Sequence, residues 1–273
     1  MVINKNITKA SFLLAFVFQI NFAQQTTRND LSSFEGFKKV GFHLSGVFYK
    51  KADIDRKYGN YELITNPTLS GRIGFDYAFN HQKNWSYRTG LYLDLIPSYN
   101  LEFEIKPEDL AFITWDLDGS LDTKEKGNTF VFTIPFLVEG KLQMSEKLFF
   151  SAMGGFDFSV IRSSAISFGV GYSDDEVNES REIFALYGES SGFFIYPSLR
   201  LSPGLYFVTE KALYQIQLTY KKSLVPYFKG EYQFGNLDVS EPTRGDYTFT
   251  GDFMALGLTV FLKKKKKKKK YNN

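Results

Sequence analysis

Residues Leu69 to Phe79 (LSGRIGFDYAF) place Leu69, Gly71, Ile73, Phe75, Tyr77 and Phe79 on one side of an extended chain and Ser70, Arg72, Gly74, Asp76 and Ala78 on the other. A β-strand has a period of two, so this stretch folds with one apolar face and one polar face. The stretch lies in a strand predicted near 67–79, and segments of the same kind recur near 39–49, 85–96, 129–140, 147–161, 193–207, 213–222 and 249–262, eight in all. In a water-soluble sheet the apolar face is the core. In a transmembrane β-barrel it faces lipid and the polar face fills the interior. A soluble eight-stranded barrel of the lipocalin type needs a polar outer face, whereas the apolar face of the second, third, sixth and seventh segments carries almost no charge. The sequence therefore predicts an all-β fold, an eight-stranded antiparallel up-and-down transmembrane β-barrel over residues 24–262.

The connections alternate in length. Residues 80–84, 141–146 and 208–212 are short, and 50–66, 97–128, 162–192 and 223–248 are long. Barrels of the bacterial outer membrane have short periplasmic turns and long outer loops, so the pattern predicts an outer-membrane location with both termini in the periplasm. Pro135, Pro197 and Pro203 fall inside predicted strands. Each lacks the N–H that a closed sheet needs, and bulges are expected there.

Ahead of the barrel, Lys5 and Lys9 precede an apolar run from Ser11 to Phe22, followed by Ala23. That order is a signal peptide over residues 1–23, and its apolar run is too short to cross a hydrocarbon core of about 30 Å. The absence of cysteine excludes disulfides, thiolate metal sites, a cysteine nucleophile and a lipidated amino terminus. The net charge of +3 is deceptive: Lys263 to Lys270 and the two leader lysines account for ten of 33 basic residues, leaving 23 against 30 acidic ones. An acidic body argues against a nucleic-acid partner. Residues 263–273 read as a disordered lysine-rich tail in the periplasm, able to approach an anionic surface by charge attraction.

The chain end Ala23-Gln24-Gln25 of the leader, the segment Phe130 to Glu139 (FVFTIPFLVE), the following Phe149 to Val160 (FFSAMGGFDFSV) and Leu256 to Leu262 (LGLTVFL) resemble the PorT-like outer-membrane β-barrel family. The resemblance spans most of residues 36–262 and implies a porin-like outer-membrane barrel, linked in some members to protein secretion or surface assembly. It brings no catalytic residues. The lysine tail departs from the aromatic last residue of an outer-membrane ending.

Candidate chemistry is sparse. His43 and His81 are the only histidines, and both sit toward the periplasmic end, away from the outer leaflet where small lipid-editing barrels work. The segment Asp116 to Asp122 (DLDGSLD) has the wrong spacing for an EF-hand, and an Asp- and Gly-rich turn is the simpler reading. No metal, cofactor or enzymatic activity is expected. The long connections 97–128 and 162–192 are acidic, a property that keeps loops solvated and could also present a negative cap to a ligand or protein.

Arg72, Asp76, Arg88, Tyr92, Asp94, Asp157, Arg200, Gln215 and Gln217 all fall on the polar face. An eight-stranded barrel is only wide enough for its side chains, so these residues are expected to form a polar plug. If Asn80 lies opposite Asn84, paired numbers sum to 164. That register sets Asp76 against Arg88 inside, with Phe79 against Trp85 and Tyr77 against Tyr87 outside as an aromatic girdle. The function expected is non-enzymatic surface binding or secretion and envelope assembly, with outer-membrane lipids and a protein partner at the outer loops or in the secretion machinery. The alternatives are a narrow porin for small solutes and a lipid-modifying enzyme.

Overall fold

A computed structural model describes residues 30–111, 121–161, 165–174, 179–190, 195–239 and 241–264. The leader, Asp116 to Ser120 of the aspartate-rich segment, Asp175, Glu176 and the lysines from 265 onward lie outside the described residues. In chain order the strands are β1 (Phe37–Tyr49), β2 (Asp53–Tyr58), β3 (Ile64–Thr65), β4 (Thr68–Phe79), β5 (Trp85–Ile105), β6 (Leu121–Gln143) and β7 (Leu148–Val160). They continue with β8 (Ala165–Asp174), β9 (Glu179–Ser190), β10 (Ile195–Val208), β11 (Ala212–Ser223), β12 (Phe228–Phe234), β13 (Arg244–Phe249) and β14 (Phe253–Lys263). Two short 3-10 helices, Ser32–Gly36 and Pro107–Asp109, complete the described elements.

The fold is all-β and antiparallel. Strands β5, β4, β1, β14, β11, β10, β7 and β6 pair in that order, and β6 pairs back onto β5, so the eight close into a ring without a free edge. Closure follows from alternation: each strand offers a complete apolar outer face, and a closed ladder leaves no unpaired backbone groups at an edge. The outer face is apolar all the way round. Leu69, Ile73, Phe75 and Phe79 of β4, Phe130, Phe132 and Phe136 of β6, and Ile216, Leu218 and Tyr220 of β11 are all exposed. From Leu69 to Phe79 the band extends ten residue steps, about 33 Å along the strand and about 25 Å after a tilt of about 40°.

The count of eight strands is corrected to fourteen among the described residues. The long connections are folded. Strands β2, β13, β12, β9 and β8 make a second, five-stranded sheet, β3 pairs with β5, and β5 and β6 extend beyond the predicted ends at 96 and 129 to form one long hairpin. The physical reason is legible in the residues. Phe103, Phe184, Phe234, Tyr247 and Phe249 lie beyond the ring, where water would otherwise meet them, and they bury one another, with Phe103 and Phe184 4.5 Å apart between ring centroids. This aromatic core packs over one mouth of the ring, reaching Val47, Tyr49, Phe253 and Ala255 of the ring strands.

The β4–β5 register is also corrected. Phe79 pairs with Tyr87, Arg72 with Asp94 and Asp76 with Gly90, so paired numbers sum to 166, not 164. Asn80 adopts a positive φ of 52°, Lys83 N–H donates to the Asn80 carbonyl at 2.8 Å, and the buried Lys141 Nζ donates to the carbonyls of His81 and Lys83. These bonds brace the 80–84 connection, across which the pairing is offset by two from the expected register, and Trp85 pairs with Gly140 of β6 instead of Phe79. A shift of two leaves every side chain on its own face. The expected bulges at Pro135, Pro197 and Pro203 are absent: the β6–β7 and β7–β10 registers run through all three without a shift. Within the ring, register shifts occur instead between Pro97 and Tyr99 and between Phe37 and Gly41.

Candidate functional site

Inside the ring is a layered ionic core between two apolar seals. Alternation aims the odd-numbered side chains of β6, β7 and β11 inward together with the even-numbered ones of β4, β5 and β10 up to Tyr206, so charged residues from six strands converge. Ring closure decides which of them meet.

At the level nearest the aromatic cap, Asp94 accepts two N–H bonds from Arg72 and an O–H bond from Thr133 at 2.7 Å. Thr133 shares a bond with Ser159, which in turn meets Lys221 Nζ at 3.1 Å and Tyr227 Oη at 2.8 Å. Asp157 stands between two guanidinium groups, 3.6 Å from Arg72 Nη1 and 3.6 Å from Arg200 Nη1. Midway down, Asp76 accepts from Tyr92 Oη and from Thr259 at 2.9 Å, with Arg88 Nη1 at 3.7 Å. His43 Nδ1 lies 2.9 Å from Thr259 Oγ1. Toward the short turns, Glu139 collects Tyr206 at 2.6 Å, Ser86 at 2.7 Å, Gln215 at 3.2 Å, Arg88 at 3.3 Å and Lys141 at 3.3 Å. Arg88 also donates to Gln215 and Tyr206.

All nine residues expected on the polar face, Arg72, Asp76, Arg88, Tyr92, Asp94, Asp157, Arg200, Gln215 and Gln217, are buried inside the ring. Eight of them join the contacts described above or stack on them: Arg72 and Arg200 lie over the Tyr92 ring at 4.8 and 5.4 Å. Gln217 is buried with its Oε1 atom unbonded. Phe79, Trp85 and Tyr87 are exposed on the outer face and Tyr77 is half-buried there, its ring 4.6 Å from that of Phe79. Sequence reasoning missed Glu139, Lys141, Lys221 and Tyr206. Glu139 and Lys221 follow the same alternation as Thr133 and Gln215, and that signal alone finds them.

The end near the short turns is sealed by the amino-terminal 3-10 helix. Phe34 is fully buried, edge-on to Phe149 at 5.0 Å and Tyr206 at 5.1 Å, within an apolar cluster that includes Phe37, Leu213 and Phe261. The segment is held by Lys264 N–H donating to Gly36 O at 2.8 Å, by Lys264 Nζ donating to Glu35 O and by Asp30 N–H donating to Gln143 Oε1. His81 closes the rim beside it, 6.2 Å from the Phe34 ring, and burial pushes its imidazole down to about 4, with Lys141 and Lys264 adding to the effect. His81 is therefore neutral at neutral pH.

No family model matches the chain, and no curated protein is similar to it. Among solved structures it is similar to the outer membrane protein OprG from Pseudomonas aeruginosa, at 12% identity and a TM-score of 0.41 over 84% of this chain and 99% of that one. It is also similar to the outer membrane protease OmpT from Escherichia coli, at 11% identity and a TM-score of 0.29 over 82% of this chain and 94% of that one. Both of these are outer-membrane proteins.

Proposed function

We propose that the chain is an integral outer-membrane β-barrel, closed to solutes, that presents a folded β cap at the cell surface and acts without catalysis, by binding a partner there or by serving envelope assembly or secretion. The observation that supports this most is the inversion of an ordinary soluble fold. A closed ring wears its aromatic and aliphatic residues on the outside and buries Arg72, Arg88, Arg200, Asp76, Asp94, Glu139 and Asp157 within. An apolar band running around all eight strands far exceeds the patch a soluble monomer exposes, and its height of about 25 Å suits a bilayer.

Two observations favour a closed interior over a porin. Every inward arginine contacts a carboxylate, and the ionic core is stoppered by Phe34 at one end and the Tyr227, Phe249 and Phe253 cluster at the other. The cap belongs on the outer side and the termini on the periplasmic side in this reading, as the lengths of the connections suggest. A PorT-like role in secretion or assembly agrees with a rigid cap that has no channel beneath it. Planar-bilayer recording with the purified full chain tests closure: absence of steps is expected, and stable unitary conductance removed by replacing Arg72 or Arg88 would favour the porin.

A further inference from the structure

The apolar outer band is broken at one place by small side chains. Gly140 of β6 pairs with Ala152 of β7, and Val138 pairs with Gly154, so three neighbouring outward positions on two strands carry no bulk. Larger residues wall them in. A Cβ on Gly140 would lie 3.3 Å from the Trp85 ring and one on Gly154 3.4 Å from the Leu201 side chain, so both walls lean over a common floor, with Phe150 closing the side nearest the turn. The result is a niche of about 250 Å³ with an almost wholly apolar lining. Lys141 runs behind the floor, and its ammonium points inward to Glu139.

The niche lies at the turn end of the band, level with Trp85, the first residue of β5. Two residues earlier is Lys83, and the adjacent β6–β7 turn carries Lys147; both are exposed, and Glu146 is the acidic residue in that turn. The same end of the ring carries exposed Lys38, Lys39, Lys211, Lys263 and Lys264, against Asp30, Glu35, Glu146 and Glu210 among the described residues. Positive side chains just outside an aromatic belt are complementary to lipid phosphates. Water would fill such a niche poorly, because it offers no polar partners.

We propose that the niche binds one acyl chain of an anionic glycerophospholipid whose phosphate sits between Lys83 and Lys147. The proposal rests on the membrane-spanning reading above. Trp85 is the natural reporter, since Trp115 is the only other tryptophan. The full chain carrying Trp115→Phe is reconstituted into phosphatidylcholine vesicles containing small fractions of chain-brominated phosphatidylglycerol or chain-brominated phosphatidylcholine. Brominated phosphatidylglycerol should quench Trp85 at a several-fold lower fraction than brominated phosphatidylcholine. Lys83→Glu with Lys147→Glu should remove that preference. Ala152→Leu, which fills the niche from its floor, should weaken quenching by the anionic lipid at low fractions. Equal quenching by both lipids, or a preference unchanged in these variants, overturns the site while leaving the membrane reading intact. No quenching by either lipid overturns the membrane reading and the site together.

Discussion

Arg72 and Asp94 are direct cross-strand partners of β4 and β5, and the guanidinium grips the carboxylate with two N–H groups inside a ring that excludes solvent from both. The pair is not isolated: Thr133 completes Asp94, and Asp157 sits 3.6 Å from the far side of Arg72. A buried charge that loses its partner keeps its desolvation cost without the attraction that offset it.

Asp94→Ala should therefore destabilise the protein by about 3–5 kcal/mol, and Arg72→Ala by a similar amount. The double replacement Arg72→Ala with Asp94→Ala should cost less than the sum of the single changes by roughly 0.5–3 kcal/mol. Urea unfolding of vesicle-reconstituted protein measures all four corners of the cycle. Simple additivity would show that the two side chains act independently.

The seal at the turn end depends on one ring. Truncation by Phe34→Ala removes a fully buried phenyl group from between Phe149 and Tyr206 and should cost about 3–5 kcal/mol. It should also let water-soluble reagents reach the ionic core. A cysteine at Ser151, buried beside Gln215, should react with a small thiol reagent faster in the Phe34→Ala background than with Phe34 intact. Equal labelling rates would show that Phe34 does not close the interior.

His81 supplies a pH dependence with a defined sign. Its folded value of about 4 lies below the ordinary histidine value of 6.5, so between these limits the unfolded chain binds more protons. Stability from this residue is present above about pH 6.5 and is lost as pH falls toward about 4. His81→Gln should flatten the part of the acid destabilisation that lies in this window, measured as the urea midpoint at pH 7.5, 6 and 4.5. An unchanged slope would mean that His81 is solvated in the folded protein.

Orientation can be read with single cysteines, because the chain has none of its own. A cysteine at Asp238, exposed in the cap next to the Leu110–Leu237 bridge, should be labelled by a membrane-impermeant maleimide on intact cells. One at Ser145, in the β6–β7 turn, should be labelled only after the outer membrane is opened. The reverse pattern would invert the topology.

Side-chain direction was legible from sequence because alternation is a local property of each strand. Arg72, Asp76 and Arg88 turn inward and Phe79, Trp85 and Tyr87 outward whatever the neighbours do. The ring strands also end near the predicted positions at the short turns, where polar residues interrupt the alternation. Register was not local. The β4–β5 pairing is offset by two from the expected register, and Lys141, about 60 positions away in the chain, donates to carbonyls of the turn between them; no pattern within residues 80–84 reports that bond.

Alternation in the sequence by itself determined that there is an apolar outside and a polar inside, since a period of two needs only the strand. Tertiary closure decided which charges meet. Arg88 reaches Glu139, Tyr206 and Gln215 at separations of 51, 118 and 127 residues, distances that only the pairing order of the eight strands brings within hydrogen-bond reach. It also decided the fate of the long connections. Their charges read as solvation, whereas Phe103, Phe184, Phe234 and Tyr247 had to leave water, and they could do so only by meeting one another over the mouth of the ring.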